Sequence, residues 1–185
     1  MSSRFDPLIG AALLARGRAE GMARFGSTPQ AFLASLAPMI ALPLVGCIIL
    51  LLSGNGLLGV SALLVTVVAQ LAPPVLSHAL AAQWGRADLW LRYATAFNWC
   101  QWAIPVVALA LMVVLQAGLS FGLGENAAVR LLGVGLAAYG LWLHWLLARH
   151  GLALPGGRAA ALVALVNIGT IALLLVPGVV MRVLE

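Results

Sequence analysis

Lysine is missing from this 185-residue chain, and charge of either sign is scarce: ten arginines and five acids make 8% of the residues, against 63% that are hydrophobic. A water-exposed globular surface takes about a quarter charged residues, so this composition excludes an ordinary soluble domain and points to an integral membrane protein. The five acids, Asp6, Glu20, Asp88, Glu125 and Glu185, all fall outside the long apolar runs. The runs therefore lack the intramembrane carboxylate on which proton relays depend, and the chain lacks the paired carboxylates of glycoside hydrolysis. A P-loop, GxGxxG and HExxH are missing, as is the GxSxG serine elbow. No chemistry can be nominated for an enzyme, and a non-enzymatic role is expected. The net charge of +5 is spread along the chain without a nucleic-acid module, so no nucleic-acid partner is expected. A secretory signal is not expected either, because Arg16, Arg18, Glu20 and Arg24 interrupt the only short apolar run near the N-terminus.

Cysteine is nearly absent too. Cys47 falls near the outer end of one apolar run and Cys100 near the inner end of another. Their depths differ by about 15 Å on the helical rise, whereas a disulfide needs Cα atoms within about 7 Å; both thiols are expected to be free. Cys100 beside a histidine would suit a nucleophile, but a small buried filler is the more economical role. His78 and His144 have no acidic ligand in the runs and no i+4 histidine, so neither a metal nor a cofactor is expected.

What the chain has in abundance is long apolar sequence. Five stretches, about 31–53, 59–82, 96–118, 128–148 and 159–181, meet the ~20 residues that a helix needs to cross a bilayer. The expected fold is all-α, a polytopic bundle of five transmembrane helices. Residues 1–30 precede it as a cytoplasmic amphipathic segment, and 182–185 follow as a short outer tail. Pro73 and Pro74 fall inside the second span; each removes a backbone donor and crowds the preceding turn. A kink or local unwinding is expected there, with a re-entrant segment as the alternative. Residues 7–26 are expected to form one interfacial helix, with Leu8, Ala12, Ala15, Ala19 and Met22 on its apolar face and Arg16, Glu20 and Arg24 at ion-pair spacing. Thr28 is a candidate cap for the first span.

Arginine fixes an orientation. Arg4, Arg16, Arg18, Arg24, Arg86, Arg92, Arg149 and Arg158 lie on one side of the alternating spans, and only Arg130 and Arg182 lie on the other. The positive-inside rule then places the N-terminus in the cytoplasm and the C-terminus in the periplasm. Arginine-only basic usage and high alanine suggest a bacterial inner membrane. All six tryptophans, Trp84, Trp90, Trp99, Trp102, Trp142 and Trp145, fall near the same face, where indole anchors at the headgroup level.

The same end collects polar side chains. Ser77, His78, Asn98, Gln101, His144 and Asn167 come to similar depth and form a candidate polar layer. Asn98 would sit about 4 Å and Gln101 about 9 Å into the apolar zone. Both share a face with Pro105, which should turn inward because unpaired amides are costly in lipid. Gly133, Ala137 and Gly140 make a small-residue stripe leading to His144, suited to close helix packing against a face of Ala160, Ala164, Asn167 and Ile171. The layer serves either as hydrogen-bonding glue between helices, as a hydrated ligand or ion route, or as part of a docking site.

This layout resembles the Yip-domain family of five-span membrane proteins over residues 31–181: a cytoplasmic N-terminus, closely spaced spans and almost no outer loops. The resemblance implies a small multispan protein, linked in eukaryotes to membrane trafficking and small GTPases. No family residue maps onto a numbered position here, and the trafficking role is not carried over to a chain of bacterial character. The functional expectation is a membrane protein that organises lipid, a partner protein or copies of itself, the alternative being a small transporter or permease component.

Overall fold

The computed structural model describes residues 6–184, with side chains through Leu175. It is all-α. A short helix α1 (Pro7–Ala15) and a 3-10 turn (Ala19–Arg24) precede α2 (Pro29–Leu52), α3 (Gly56–Gln83), α4 (Ala87–Cys100), α5 (Ala103–Ser120), α6 (Glu125–Gly151) and α7 (Gly156–Leu184). With α4 and α5 counted as one bent path, five helices among the described residues are long and apolar enough to cross a membrane. The positions written above as an outer tail belong to α7 through Leu184; Glu185 lies outside the described residues.

Local chemistry sets the helix ends. Thr28 Oγ1 accepts from Ala31 N at 3.2 Å, and Asp6 Oδ1 accepts from Ile9 N at the same distance; proline follows each cap at the first helical position, where its missing N–H costs nothing. The α2–α3 turn closes with Asn55 N donating to Leu50 O and Gly54 N to Leu51 O. That pattern needs a left-handed residue, and Gly54 supplies it at φ 79°.

Proline acts differently in two helices. α3 is helical without interruption through Pro73 and Pro74, so the expected unwinding does not occur. Pro105 lies one turn beyond a real break: helix ends at Cys100 and restarts at Ala103. Its ring conflicts with a regular bond at the Gln101 carbonyl four residues back, which instead accepts from Ile104 N at 3.2 Å.

Burial divides the molecule along its long axis. At the arginine-rich end, Phe25, Tyr93, Phe97, Leu147, Leu152 and Leu162 belong to one packed core. α4 is its centre: every residue from Tyr93 to Asn98 is buried, against α1, α2, α3 and α6. At the other end the helices are exposed apolar legs. α5 buries no residue, and Leu57, Leu64, Val106, Val113, Val134 and Ile168 all face outward. The 18 residues of α5 rise about 27 Å, close to the ~30 Å hydrocarbon thickness of a bilayer. The legs thus match the lipid, and α4 belongs to a packed cap at their end.

This division corrects two expectations. The third helical path begins at Ala87, nine residues before the apolar run, because α4 is enclosed by protein. Asn98 is therefore shielded from lipid by packing. Residues 7–26 do not form one interfacial helix. Gly17, at φ 81°, ends α1, and the chain folds back so that Leu14, Met22 and Phe25 are buried while Leu8 is 66% exposed. The i,i+4 ion pairs are lost with the helix; Arg18 pairs with Glu20 at 3.6 Å instead. The hairpin is close-fitting: a Cβ on Gly21 would lie 2.6 Å from the Gly10 carbonyl oxygen.

Candidate functional site

The six residues of the expected polar layer do not form one cluster. They separate according to the face of α4 or α6 that each occupies.

Asn98 faces α2. Its Nδ2 donates to Ser35 Oγ at 2.8 Å, and Ser35 Oγ donates to the Phe32 carbonyl at 2.6 Å. Asn98 is fully buried, and its Oδ1 has no partner. Ser77 faces α4, where its hydroxyl donates to Pro74 O and accepts from Trp90 Nε1 at 3.2 Å. His78, the next residue, is exposed, and its ring meets Trp90 edge-on at 4.7 Å. It does not join the others.

His144, Asn167 and Gln101 do come together. Tyr93 Oη lies 2.8 Å from His144 Nε2, and Asn167 Nδ2 lies 3.5 Å from His144 Nδ1 while donating to Val163 O at 2.7 Å. Phe97 packs on the imidazole with ring centres 4.9 Å apart. The remaining edge of His144 opens on a cavity of about 570 Å³. Gln101, Asn167 and Thr170 are its other polar groups; Pro73, Ile104 and Val166 supply apolar wall. None of its lining residues carries a formal charge.

Ala137 and Gly140 of the small-residue stripe line this space, and Gly133 does not. A Cβ on Gly133 would meet nothing within 4 Å, Ala137 is exposed, and Gly140 has Ile104 Cδ1 at 3.8 Å. α7 presents Ala159, Leu162, Val163 and Val166 inward, while Ala160, Ala164 and Ile171 are exposed. Gly133, Ala137 and Gly140 therefore do not form the expected seam against Ala160, Ala164 and Ile171.

The tryptophans divide as well. Trp90 and Trp145 spend their N–H groups inside the protein, Trp145 on the Gly156 carbonyl at 3.0 Å. Trp84 and Trp99 are partly buried against the core. Trp102 and Trp142 are the most open. Arg149 stacks over Trp145 at 5.1 Å. Cys47 and Cys100 are both free and buried, and Cys100 lies in the packed core, as expected of a filler. Among the described residues, no three His, Cys, Asp or Glu side chains are grouped to hold a metal.

Two participants escaped the sequence reading. Ser35 is the partner of Asn98, and Tyr93 is the partner of His144. Ser35 sits in an apolar run, and Tyr93 precedes the third run, about 96–118. The one available signal was helical periodicity: Tyr93 and Phe97 are four apart, so they share a face of α4.

Fold and site together define a polytopic, multi-span helical membrane protein with a charge-free cavity beneath a packed cap. Compared with known proteins, the chain matches no protein-family model, no curated sequence and no solved structure.

Proposed function

We propose that this protein binds an uncharged amphiphile within the membrane and organises lipid in that way, without catalysing a reaction. One observation carries the reading: an apolar-walled cavity of about 570 Å³ ends on His144, Asn167, Thr170 and Gln101 and has no charged lining residue. Its volume lies in the range of small-molecule sites, about 300–1,000 Å³. A bare phosphate or ammonium group there would be desolvated without a counter-charge, at a cost of several kcal/mol. A hydroxyl, carbonyl or quinone-like head would instead find donors and acceptors at the polar end, with its chain along Pro73, Ile104 and Val166. Both His144 nitrogens already have neighbours, which suits a held ring better than a free general base.

The proposed setting is a bacterial inner membrane with the cap on the cytoplasmic side, supported by the arginine distribution. The likeness to the Yip-domain family is one of layout; within this proposal it contributes a topology and no activity. The transporter reading would require the same cavity to open alternately to both sides.

Native mass spectrometry of protein purified from its own membranes tests the assignment. A retained neutral amphiphile is expected, and Gly140→Leu, which projects into the cavity, should displace it. A folded protein that retains none, or retains it equally after Gly140→Leu, would refute the proposal. A stoichiometric protein that copurifies in its place would favour a docking role, for another membrane protein or a second copy.

A further inference from the structure

A second cleft lies between α5 and α1. It measures about 340 Å³ and is bounded by α1 on one side and by α5 with the end of α4 on the other. It shares no lining residue with the His144 cavity. We propose that it binds an anionic phospholipid of the arginine-rich face, one acyl chain lying between Ala12 and Val106 and the phosphate meeting Arg16.

The cleft exists because α1 turns small residues toward α5. Ala12 and Ala15 face Trp102 and Val106 across it, and leucines at those alanines would fill it. Its frame is fixed: Tyr139 Oη donates to the Ala15 carbonyl at 3.1 Å, tying the end of α1 to α6. α1 itself carries no charge from Pro7 to Ala15. The apolar interior runs on to the exposed α5 surface at Val106 and Leu109, which continues the slot into the lipid-facing legs.

Charge singles out the ligand. Arg16 lines the cleft and is exposed. Arg18 engages Glu20, and Arg16 has no acidic partner among the described residues. A guanidinium presents a planar fork that matches phosphate oxygens. Trp102 and Trp142, the two most open indoles, flank this level of the molecule: Trp102 lines the cleft, and a Cβ on Gly17 would lie 3.3 Å from the Trp142 ring. That is the headgroup position indole prefers. An apolar slot with one unpaired cation at the bilayer surface fits a diacyl phosphate. A peptide would leave its backbone groups unpaired along the alanines.

The test uses full-length protein in mixed micelles of phosphatidylglycerol and phosphatidylcholine with identical chains, read by native mass spectrometry. Phosphatidylglycerol should be retained preferentially, and Arg16→Gln should reduce that preference about fivefold, the factor one arginine supplies at an anionic surface. Ala12→Leu should lower retention of both lipids. Quenching of Trp102 fluorescence by brominated acyl chains, compared with Trp102→Phe, gives a readout on the otherwise unaltered protein. An unchanged preference in Arg16→Gln, or no Trp102 quenching in the parent protein, would overturn the assignment. Because the two cavities share no residue, Gly140→Leu should leave phosphatidylglycerol retention unchanged, so failure here is separable from failure of the central site.

Discussion

The Tyr93 hydroxyl stands 2.8 Å from His144 Nε2 and joins α4 to α6 across the middle of the cap. Both residues are buried, at 1% and 6% exposure, so neither has water as a substitute partner. Tyr93→Phe should therefore lower stability by about 1–3 kcal/mol, the range for stranding a buried polar group. Thermal unfolding in a fixed detergent measures this, and an unchanged melting temperature would show that the contact contributes nothing.

Asn98 and Ser35 make the corresponding bond between α4 and α2. The unpaired Oδ1 of Asn98 complicates single substitutions: Asn98→Leu removes one bond and also relieves one stranded acceptor. A double-mutant cycle with Ser35→Ala and Asn98→Ala separates the two. The coupling energy should fall between about 0.6 and 2 kcal/mol. A coupling near zero would mean that the 2.8 Å contact does not hold the helices.

Gly21 is where the N-terminal hairpin meets itself. An added Cβ would lie 2.6 Å from the Gly10 backbone oxygen and 2.9 Å from Leu13 Cβ. Backbone has to move, at a cost of about 1–3 kcal/mol for overpacking. Limited proteolysis should then cut residues 7–26 faster in Gly21→Ala than in the parent protein. Gly133→Ala, in open space on α6, should be neutral or stabilising by up to about 1 kcal/mol. Equal proteolysis of both variants would contradict the docked hairpin.

Pro105 should control the direction of α5. Replacing it with alanine restores the donor that a regular bond to Gln101 requires. A change of about 20° in the bend, the size that defines a kink, swings the far end of an 18-residue helix by about 9 Å at 1.5 Å per residue. Spin labels at Ser120 and Asn126 would not separate cleanly, since both sit at the α5–α6 turn. Labels at Ser120 and Ser53 should report a distance change of several ångströms. No change would place the origin of the bend in packing around Trp102.

Five crossings put the chain's two ends on opposite faces. A reporter fused at the N-terminus should be active only in the compartment that holds the arginine-rich cap, and one fused at the C-terminus only in the other. Activity of both in one compartment would remove the orientation proposed here.

The sequence by itself determined the things that depend on neighbours along the chain. Hydropathy is local, so five apolar runs announced five spans. Caps are local, so Thr28 followed by Pro29 marked the start of α2. Charge density is local, so the arginine-rich end could be named. The left-handed turn at Gly17, and the fold-back of Met22 and Phe25, were not local in this sense. The tertiary structure decided which polar groups meet. Asn98 and Gln101 lie three residues apart, yet the break before Pro105 and the placement of α2 send one to Ser35 and the other to the cavity of His144 and Asn167. His78 and Ser77 are adjacent, and one is exposed while the other is buried. Depth in a membrane follows from counting residues. Rotation about a helix axis and the order of helices around the bundle follow from side-chain packing across segments far apart in sequence, which no local window contains.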